Sequence, residues 1–94
     1  MEKDLHKFLI KTGLDELDIK FMCSSFPELE ETNAEEAIYN VKLVVDYGYP
    51  TDKLNFLLLL NPYIMLRDAD ELEDDLDKIE GDIYEALKNN PLLI

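Results

Sequence analysis

The sequence is poor in the residues that carry most enzyme, metal and disulfide chemistry. It has one cysteine, one histidine and no tryptophan among 94 residues. A single cysteine excludes a disulfide within the chain and fits a reducing compartment, so we expect a cytoplasmic protein. His6 lies on a short terminal helical pattern with no nucleophile or orienting partner marked beside it. The sequence therefore predicts no catalytic, cofactor or metal site, and we expect a protein that is not an enzyme.

Long apolar runs are also missing. The longest, residues 56–60, has five residues, whereas a membrane-spanning helix needs about 20. The charged N-terminus lacks the apolar core of a signal peptide and the arginine-rich, acid-poor composition of a transit peptide. We therefore expect no membrane segment and no targeting segment. A composition of 47% hydrophobic and 33% charged residues is typical of a globular domain.

Basic residues are scarce relative to acidic ones. Nine lysines and arginines stand against 22 aspartates and glutamates, which gives a formal net charge of −13. Residues 1–26 hold four bases and five acids, whereas residues 27–94 hold five bases and 17 acids. Proteins bind nucleic acid through basic side chains that displace counterions from phosphates. The composition therefore argues against a nucleic-acid partner and favours a protein partner with a basic surface.

Glycine and proline are few, with three and four residues, and they are regularly spaced. A glycine is followed 14 residues later by a proline, and this bracket recurs after 35 residues. The brackets run from Gly13 to Pro27, from Gly48 to Pro62 and, shortened, from Gly81 to Pro91. A fixed period of this length is typical of helical repeats. We therefore predict one all-α domain over residues 1–94, with repeat-like units at 13–47, 48–80 and 81–94.

Apolar residues between the brackets recur at helical spacing, which predicts about six short helices. The first covers Lys3–Lys11, and caps are expected at Asp15, at Thr32 or Asn33, at Thr51, at Asp68 and at Asp82. A fourth helix over residues 52–60 is apolar around much of its circumference, which predicts that it is the central buried element. Gly81 is expected to end the fifth helix. Four phenylalanines are expected in the core: Phe8, Phe21, Phe26 and Phe56.

One unit carries a further pattern: a glycine, a leucine-rich short helix, Asn61-Pro62 and the apolar triplet of residues 64–66. Residues 88–94 look like the same junction again. This arrangement resembles the helical repeats of the mitochondrial transcription termination factor (mTERF) family, most clearly over residues 48–66 and 81–94. The resemblance implies about two and a half mTERF-like repeats in a curved array, in which a basic concave face binds duplex nucleic acid.

The densest charge lies in residues 68–80, where eight of 13 residues are acidic and only Lys78 is basic. The run lacks the oxygen ligand and the glycine that a calcium loop requires, and Leu72, Leu76 and Ile79 instead fit a helix with acids outward. Such a helix is either a solvated face or a docking surface for a basic partner, including one that mimics nucleic-acid charge. The predicted interaction face consists of Asp70, Glu71, Asp74, Asp75 and Asp77.

Several other residues extend this hypothesis. Tyr47, Tyr49 and Tyr63 lie near the Gly48 and Pro62 turns, and tyrosine gives large contact area at low entropic cost. We therefore predict that they are interface residues. Five more acids extend the acidic display if the fold places them on the same side: Glu28, Glu30, Glu31, Glu35 and Glu36.

The sequence is also consistent with a second function, with two roles of its cysteine and with two arrangements of its C-terminal residues. A nucleic-acid-binding repeat protein, related to transcription termination factors, would use Lys3, Lys7, Lys11 and Lys20. Cys23 takes a position held by leucine in the other units, which favours a small core residue over a reactive thiol. The apolar residues 92–94 either fold back onto the domain, giving a monomer, or form a homodimer or partner contact.

Overall fold

Every regular element of the molecule is helical. The computed structural model describes residues 1–94, contains no strand and has a Cα radius of gyration of 12.4 Å, which confirms a small all-α domain of six helices. The α-helices are α1 (Lys3–Lys11), α2 (Glu16–Ser25), α3 (Ala34–Asp46), α4 (Leu54–Leu60), α5 (Ala69–Asp77) and α6 (Ile83–Asn89). The 3-10 helices are η1 (Pro27–Glu30), η2 (Thr51–Lys53), η3 (Pro62–Leu66) and η4 (Pro91–Leu93).

Four of the α-helices begin at a short polar side chain that accepts hydrogen bonds from free backbone N–H groups. Asp15 accepts from the N–H of Asp18, and the Asp18 side chain accepts in turn from the N–H of Asp15. The side chains of Asn33, Asp68 and Asp82 accept from backbone N–H groups at the starts of α3, α5 and α6. These four predicted caps are confirmed, and α3 uses the second of the two residues proposed for it. The cap predicted at Thr51 is wrong, because residues 51–53 form a 3-10 turn and α4 begins at Leu54 without a side-chain cap.

Glycines end two helices by adopting a positive φ. Gly13 and Gly48 have φ values of 104° and 112°. The residue after each donates its backbone N–H to a carbonyl five positions earlier, Leu14 to Leu9 and Tyr49 to Val44. Gly81 also has a positive φ, but the prediction that it ends α5 is wrong, because α5 ends at Asp77. Three residues lie between the helix and this glycine.

Prolines begin three of the 3-10 helices: η1, η3 and η4. The residue before each proline is outside the helical region, with φ between −131° and −145° and ψ between 72° and 88°. A proline disfavours the helical conformation of its predecessor and presets its own φ for a helix. Each bracket of glycine and proline therefore follows the same local path, from a short α-helix into a 3-10 turn.

Helix α3 forms the centre of the domain. It packs against α1, against α5 and against η3, and η3 also contacts η1. Helix α4 contacts η2, η3 and η4, and α6 packs on η4. One continuous core joins these elements, and its fully buried members include Leu5, Leu9, Met22, Leu29, Val41, Val44, Leu58, Ile64, Leu72, Leu76 and Leu87. Helix α3, at the centre of the domain, is also its longest helix.

The prediction that α4 is the central buried helix is wrong. Its inner side is buried, but Phe56 and Leu60 are 60% and 64% exposed on its outer side. Phe21, on α2, is 63% exposed. The prediction that Phe21 and Phe56 belong to the core is therefore wrong. The other two phenylalanines, Phe8 and Phe26, are partly buried against the core. No helix of the domain is both long enough and apolar enough to span a membrane.

Candidate functional site

The predicted interaction face on α5 is only partly free. Asp70, Glu71 and Asp74 are exposed, and no basic side chain lies within 4.0 Å of them. Asp75 is half-buried and pairs with Nη2 of Arg67 at 2.7 Å. Asp77 is exposed and accepts a hydrogen bond from the hydroxyl of Tyr47. Three of the five predicted carboxylates are therefore free to meet a partner.

The three predicted interface tyrosines have different environments. Tyr63 is 50% exposed and stacks on Phe26, with ring centroids 6.3 Å apart. Tyr47 is partly buried, and its hydrogen bond to Asp77 raises the pKa of its hydroxyl to about 12. Tyr49 is 5% exposed and meets Tyr84 edge to face at 5.5 Å.

Burial of Tyr49 removes it from any interface on the free surface, which corrects the sequence-based prediction. The cause is the Gly48 turn. Its positive φ brings the next N–H back to the Val44 carbonyl and directs the chain toward the core. The buried hydroxyl, whose pKa is raised by burial, donates to the carbonyl of Lys53 at 3.4 Å.

The fold does bring two of the additional acids beside α5. Glu35 and Glu36 lie in the first turn of α3, and Asp68 caps α5; together they line a cleft of about 380 Å³ between the two helix starts. We call it the α3–α5 cleft. Neither glutamate side chain has an ion-pair or hydrogen-bond partner in the protein, so both carboxylates remain available to a ligand.

Tyr39, Asn40, Arg67 and Ala69 complete this cleft. Tyr39 is 56% exposed, whereas Asn40 is 2% exposed and lies among core residues of α3. The amide nitrogen of Asn40 donates to the carbonyls of Ile64 and Arg67 at 2.9 and 2.8 Å. It thereby ties α3 to the end of η3. Tyr39 and Asn40 were not predicted as site residues from the sequence, although an asparagine among the apolar positions of a helix is a visible signal of a buried polar contact.

Most acids of the protein have no cationic partner. Among 22 aspartates and glutamates, only Glu16, Glu30 and Asp75 lie within 4.0 Å of a basic group. Glu30 pairs with the N-terminal ammonium at 2.7 Å, which lowers the pKa of this carboxyl. The Glu30 carboxylate, which was predicted to extend the acidic display, is therefore not free to meet a partner, whereas those of Glu35 and Glu36 are.

His6, the only histidine, does not form a metal-binding cluster with other side chains. His6 Nε2 lies 3.0 Å from the carboxylate of Glu16, and the Glu16 side chain is exposed to water. No group of three or more histidine, cysteine, aspartate or glutamate side chains is placed to hold a metal ion.

Cys23 is partly buried next to the core rather than fully inside it. Burial, followed by a hydrogen bond with Glu30, raises the pKa of its thiol to about 11. Because the thiolate is the reactive form, we expect alkylation by iodoacetamide at pH 8 to be tens of times slower than that of an ordinary exposed thiol. Mass spectrometry of timed samples, with glutathione as the reference, measures this. Equal rates would contradict the expected suppression of the thiolate.

The C-terminal residues are held by two polar contacts. Asn61 Nδ2 donates to the Pro91 carbonyl at 2.9 Å, and Arg67 Nη1 donates to the Ile94 carbonyl. Ile94 is 5% exposed, so this end folds back onto the domain. Leu92 and Leu93, at 72% and 45% exposure, stay on the surface.

Comparison with known proteins adds no relative to this picture. No family model, no curated protein and no solved structure matches the chain.

Proposed function

We propose that this protein is a small, non-enzymatic protein–protein interaction module that docks a basic partner surface. The docking face consists of Asp70, Glu71 and Asp74 on α5 with Glu35 and Glu36 across the α3–α5 cleft. The observation that carries the proposal is that no cation of the protein lies within 4.0 Å of any of these five carboxylates. Glu35 and Glu36 line the cleft beside Asp68, which caps the helix that carries the other three. We define the five carboxylates as the acidic face.

Electrostatics favours such a face as a recognition surface. Charges that are unpaired within the protein produce a field that attracts a basic partner and speeds association. Residues 27–94 carry a net charge of −12, so the field of the whole domain acts in the same direction as that of the acidic face. The predicted binding is strongest at low ionic strength and weakens with salt, because screening shortens the reach of exposed charges.

The proposed architecture of this module is a helical repeat that resembles the mTERF repeats. Two observations support it. The three brackets share one local path, with a positive-φ glycine and a non-helical residue before the proline. The helices that flank these brackets also pack in order along the chain: α1 contacts α3, and α3 contacts α5. A cytoplasmic location fits the single reduced cysteine and remains part of the proposal.

Neutralising the acidic face tests the function. In the variant Asp70→Asn/Glu71→Gln/Asp74→Asn, the binding of a basic protein partner, captured from the source lysate and then purified, should weaken by roughly tenfold or more. The matched control is Asp46→Asn/Asp52→Asn/Glu85→Gln, which changes the net charge equally at exposed acids outside the face. Titration calorimetry at two salt concentrations measures both. Equal affinities of the two variants would contradict docking through the acidic face.

A nucleic-acid-binding repeat protein is the second candidate. Lys3, Lys7 and Lys11 are exposed at successive turns of α1, and Lys20 is exposed on α2. These four lysines lie in residues 1–26, where basic and acidic residues are nearly equal in number. An electrophoretic mobility shift with duplex DNA and RNA at low salt separates the candidates. We expect no shift, because the net charge repels phosphates. A shift that disappears in a Lys3→Gln/Lys7→Gln/Lys11→Gln variant would favour the second candidate.

Self-association through the C-terminal end is a separate proposal. Leu92 and Leu93 are exposed, and they lie beside Tyr63 along one shallow depression. A monomer leaves these side chains in water, whereas a homodimer covers them. Sedimentation equilibrium of the protein and of a Leu92→Ser/Leu93→Ser variant distinguishes the two states.

A further inference from the structure

The α3–α5 cleft contains a hydrogen-bond acceptor that the protein leaves without a donor. Asn40 uses both hydrogens of its amide nitrogen inside the protein, but its Oδ1 accepts no hydrogen bond from any group. The only side-chain oxygen or nitrogen that is fully buried without a partner is Oδ1 of Asn55. Oδ1 of Asn40 therefore keeps contact with solvent, and the opening that Asn40 lines is this cleft. A residue only 2% exposed thus offers an acceptor to a ligand.

The walls of the cleft select for a cation. Glu35, Glu36 and Asp68 supply carboxylates, and Oδ1 of Asp68 already accepts from the backbone N–H groups of Asp70 and Glu71. Arg67 also lines the cleft, but its guanidinium is engaged by Asp75 and by the carbonyl of Ile94. No basic side chain lies within 4.0 Å of the three carboxylates, so a cation that enters meets acceptors that no cation of the protein occupies.

The aromatic ring of Tyr39 adds a second requirement. It is 56% exposed at the edge of the cleft, where a flat cation can lie against it. A guanidinium group is planar, carries five N–H donors in a fixed fork and stacks on aromatic faces, whereas an ammonium is a compact point charge. The neutral acceptor of Asn40, the carboxylates and the ring together match the guanidinium better than the ammonium.

We propose that the α3–α5 cleft binds an arginine side chain presented by the basic partner. This inference rests on the proposed function and names the side chain that the acidic face recognises. One N–H of the guanidinium donates to Oδ1 of Asn40, others donate to the carboxylates of Glu35 and Glu36, and the plane of the group packs on Tyr39. The arginine of the protein itself is committed elsewhere, because Arg67 donates to Asp75 and to the carbonyl of Ile94.

Three peptides of equal length test this proposal without a known partner. They are (Gly-Arg)4, the equally charged (Gly-Lys)4 and (Gly-citrulline)4, which has the shape of the first without its charge. Fluorescence anisotropy at low salt measures their affinities. We expect the order arginine, lysine, citrulline, with the arginine peptide at least about threefold tighter than the lysine peptide. In nitrogen-15 spectra, the side-chain amide signal of Asn40 should shift with the arginine peptide and not with the citrulline peptide.

Variants of exposed residues locate the binding. Tyr39→Leu should reduce the affinity for the arginine peptide by about two- to fivefold and leave the lysine peptide nearly unchanged. Glu36→Gln should weaken arginine binding by roughly fivefold more than Glu73→Gln, which removes the same charge from an exposed position of α5 outside the cleft.

The possible results separate the two proposals. Equal binding of arginine and lysine peptides, unaffected by Tyr39→Leu, would overturn the arginine site while leaving an acidic docking face in place. Binding of neither basic peptide would overturn both the site and the proposed function. Preference for arginine that survives Tyr39→Leu and Glu36→Gln would also overturn the site, because the guanidinium would then be bound outside the cleft.

Discussion

Replacing Asn40 with alanine should lower the free energy of unfolding by about 2 to 5 kcal/mol. The side chain is 2% exposed and donates to two carbonyls, those of Ile64 and Arg67. Alanine leaves both carbonyls without these donors, and an unsatisfied buried polar group costs roughly 1 to 3 kcal/mol. Total stability of small domains is about 5 to 15 kcal/mol, so this single change removes a large share of it.

Chemical denaturation followed by circular dichroism measures this loss. The matched control is Asn89→Ala, which makes the same substitution at an exposed position of α6 and gains the same helix propensity. We expect the control to be neutral or slightly stabilising. A loss below about 1 kcal/mol in Asn40→Ala would mean that the two carbonyls find water or other donors, and that the tie between α3 and η3 contributes little.

The same tie recurs one repeat later with different chemistry. Asp75 lies 13 residues after Pro62, as Asn40 lies 13 residues after Pro27. Asn40 reaches the carbonyl groups of the next 3-10 segment directly. Asp75 does so through Arg67, which it holds at 2.7 Å and which donates to the carbonyl of Ile94. Equivalent positions therefore join each long helix to the following 3-10 turn, which adds support to the proposed repeat.

Local features of the fold were predictable because their causes are local. A cap such as Asp15 or Asn33 binds N–H groups two or three residues away, and Gly48 and Pro62 act through their own backbone angles. These signals need no knowledge of the rest of the chain. They account for the number of α-helices and for most of their ends. The exceptions are the end of α5 and the start of α4, which begins at Leu54 after a 3-10 turn rather than at residue 52.

Burial was less predictable, because it depends on which helices become neighbours. Helix α4 is apolar on both sides, and nothing in residues 54–60 says which side will be covered. Tyr49 belongs to a turn, a setting typical of the surface, yet the chain direction after Gly48 buries it.

The candidate site illustrates the same limit. Its charge was visible in the sequence, and so was the acidic helix α5. The pairing of Glu35 and Glu36 with Asp68 required α3 and α5 to pack with their starts side by side, 32 or more residues apart in the chain. Asp75 is removed from the docking face by its ion pair with Arg67, and this pair also depends on tertiary contact. Sequence therefore indicates that a partner surface is acidic, but packing decides which carboxylates form it.

Two substitutions in α4 should have very different effects and thereby test its position in the fold. Leu58 is 0% exposed and belongs to the central core. Leu58→Ala removes buried methyl groups and leaves a cavity, which costs about 2 to 5 kcal/mol. Phe56 is 60% exposed two residues earlier. Phe56→Ala removes a larger side chain, yet we expect a loss below about 1 kcal/mol, because most of the ring is already in water.

Thermal and urea unfolding of the two variants measures the difference, and urea slopes that match the wild type ensure that the comparison concerns the same transition. Similar losses of several kcal/mol would mean that Phe56 is covered in solution, either within the domain or by a second copy. Dependence of the Phe56→Ala effect on protein concentration separates those cases, since only self-association responds to mass action. A large loss for Leu58→Ala alone establishes that α4 has one buried side, with its outer side facing water.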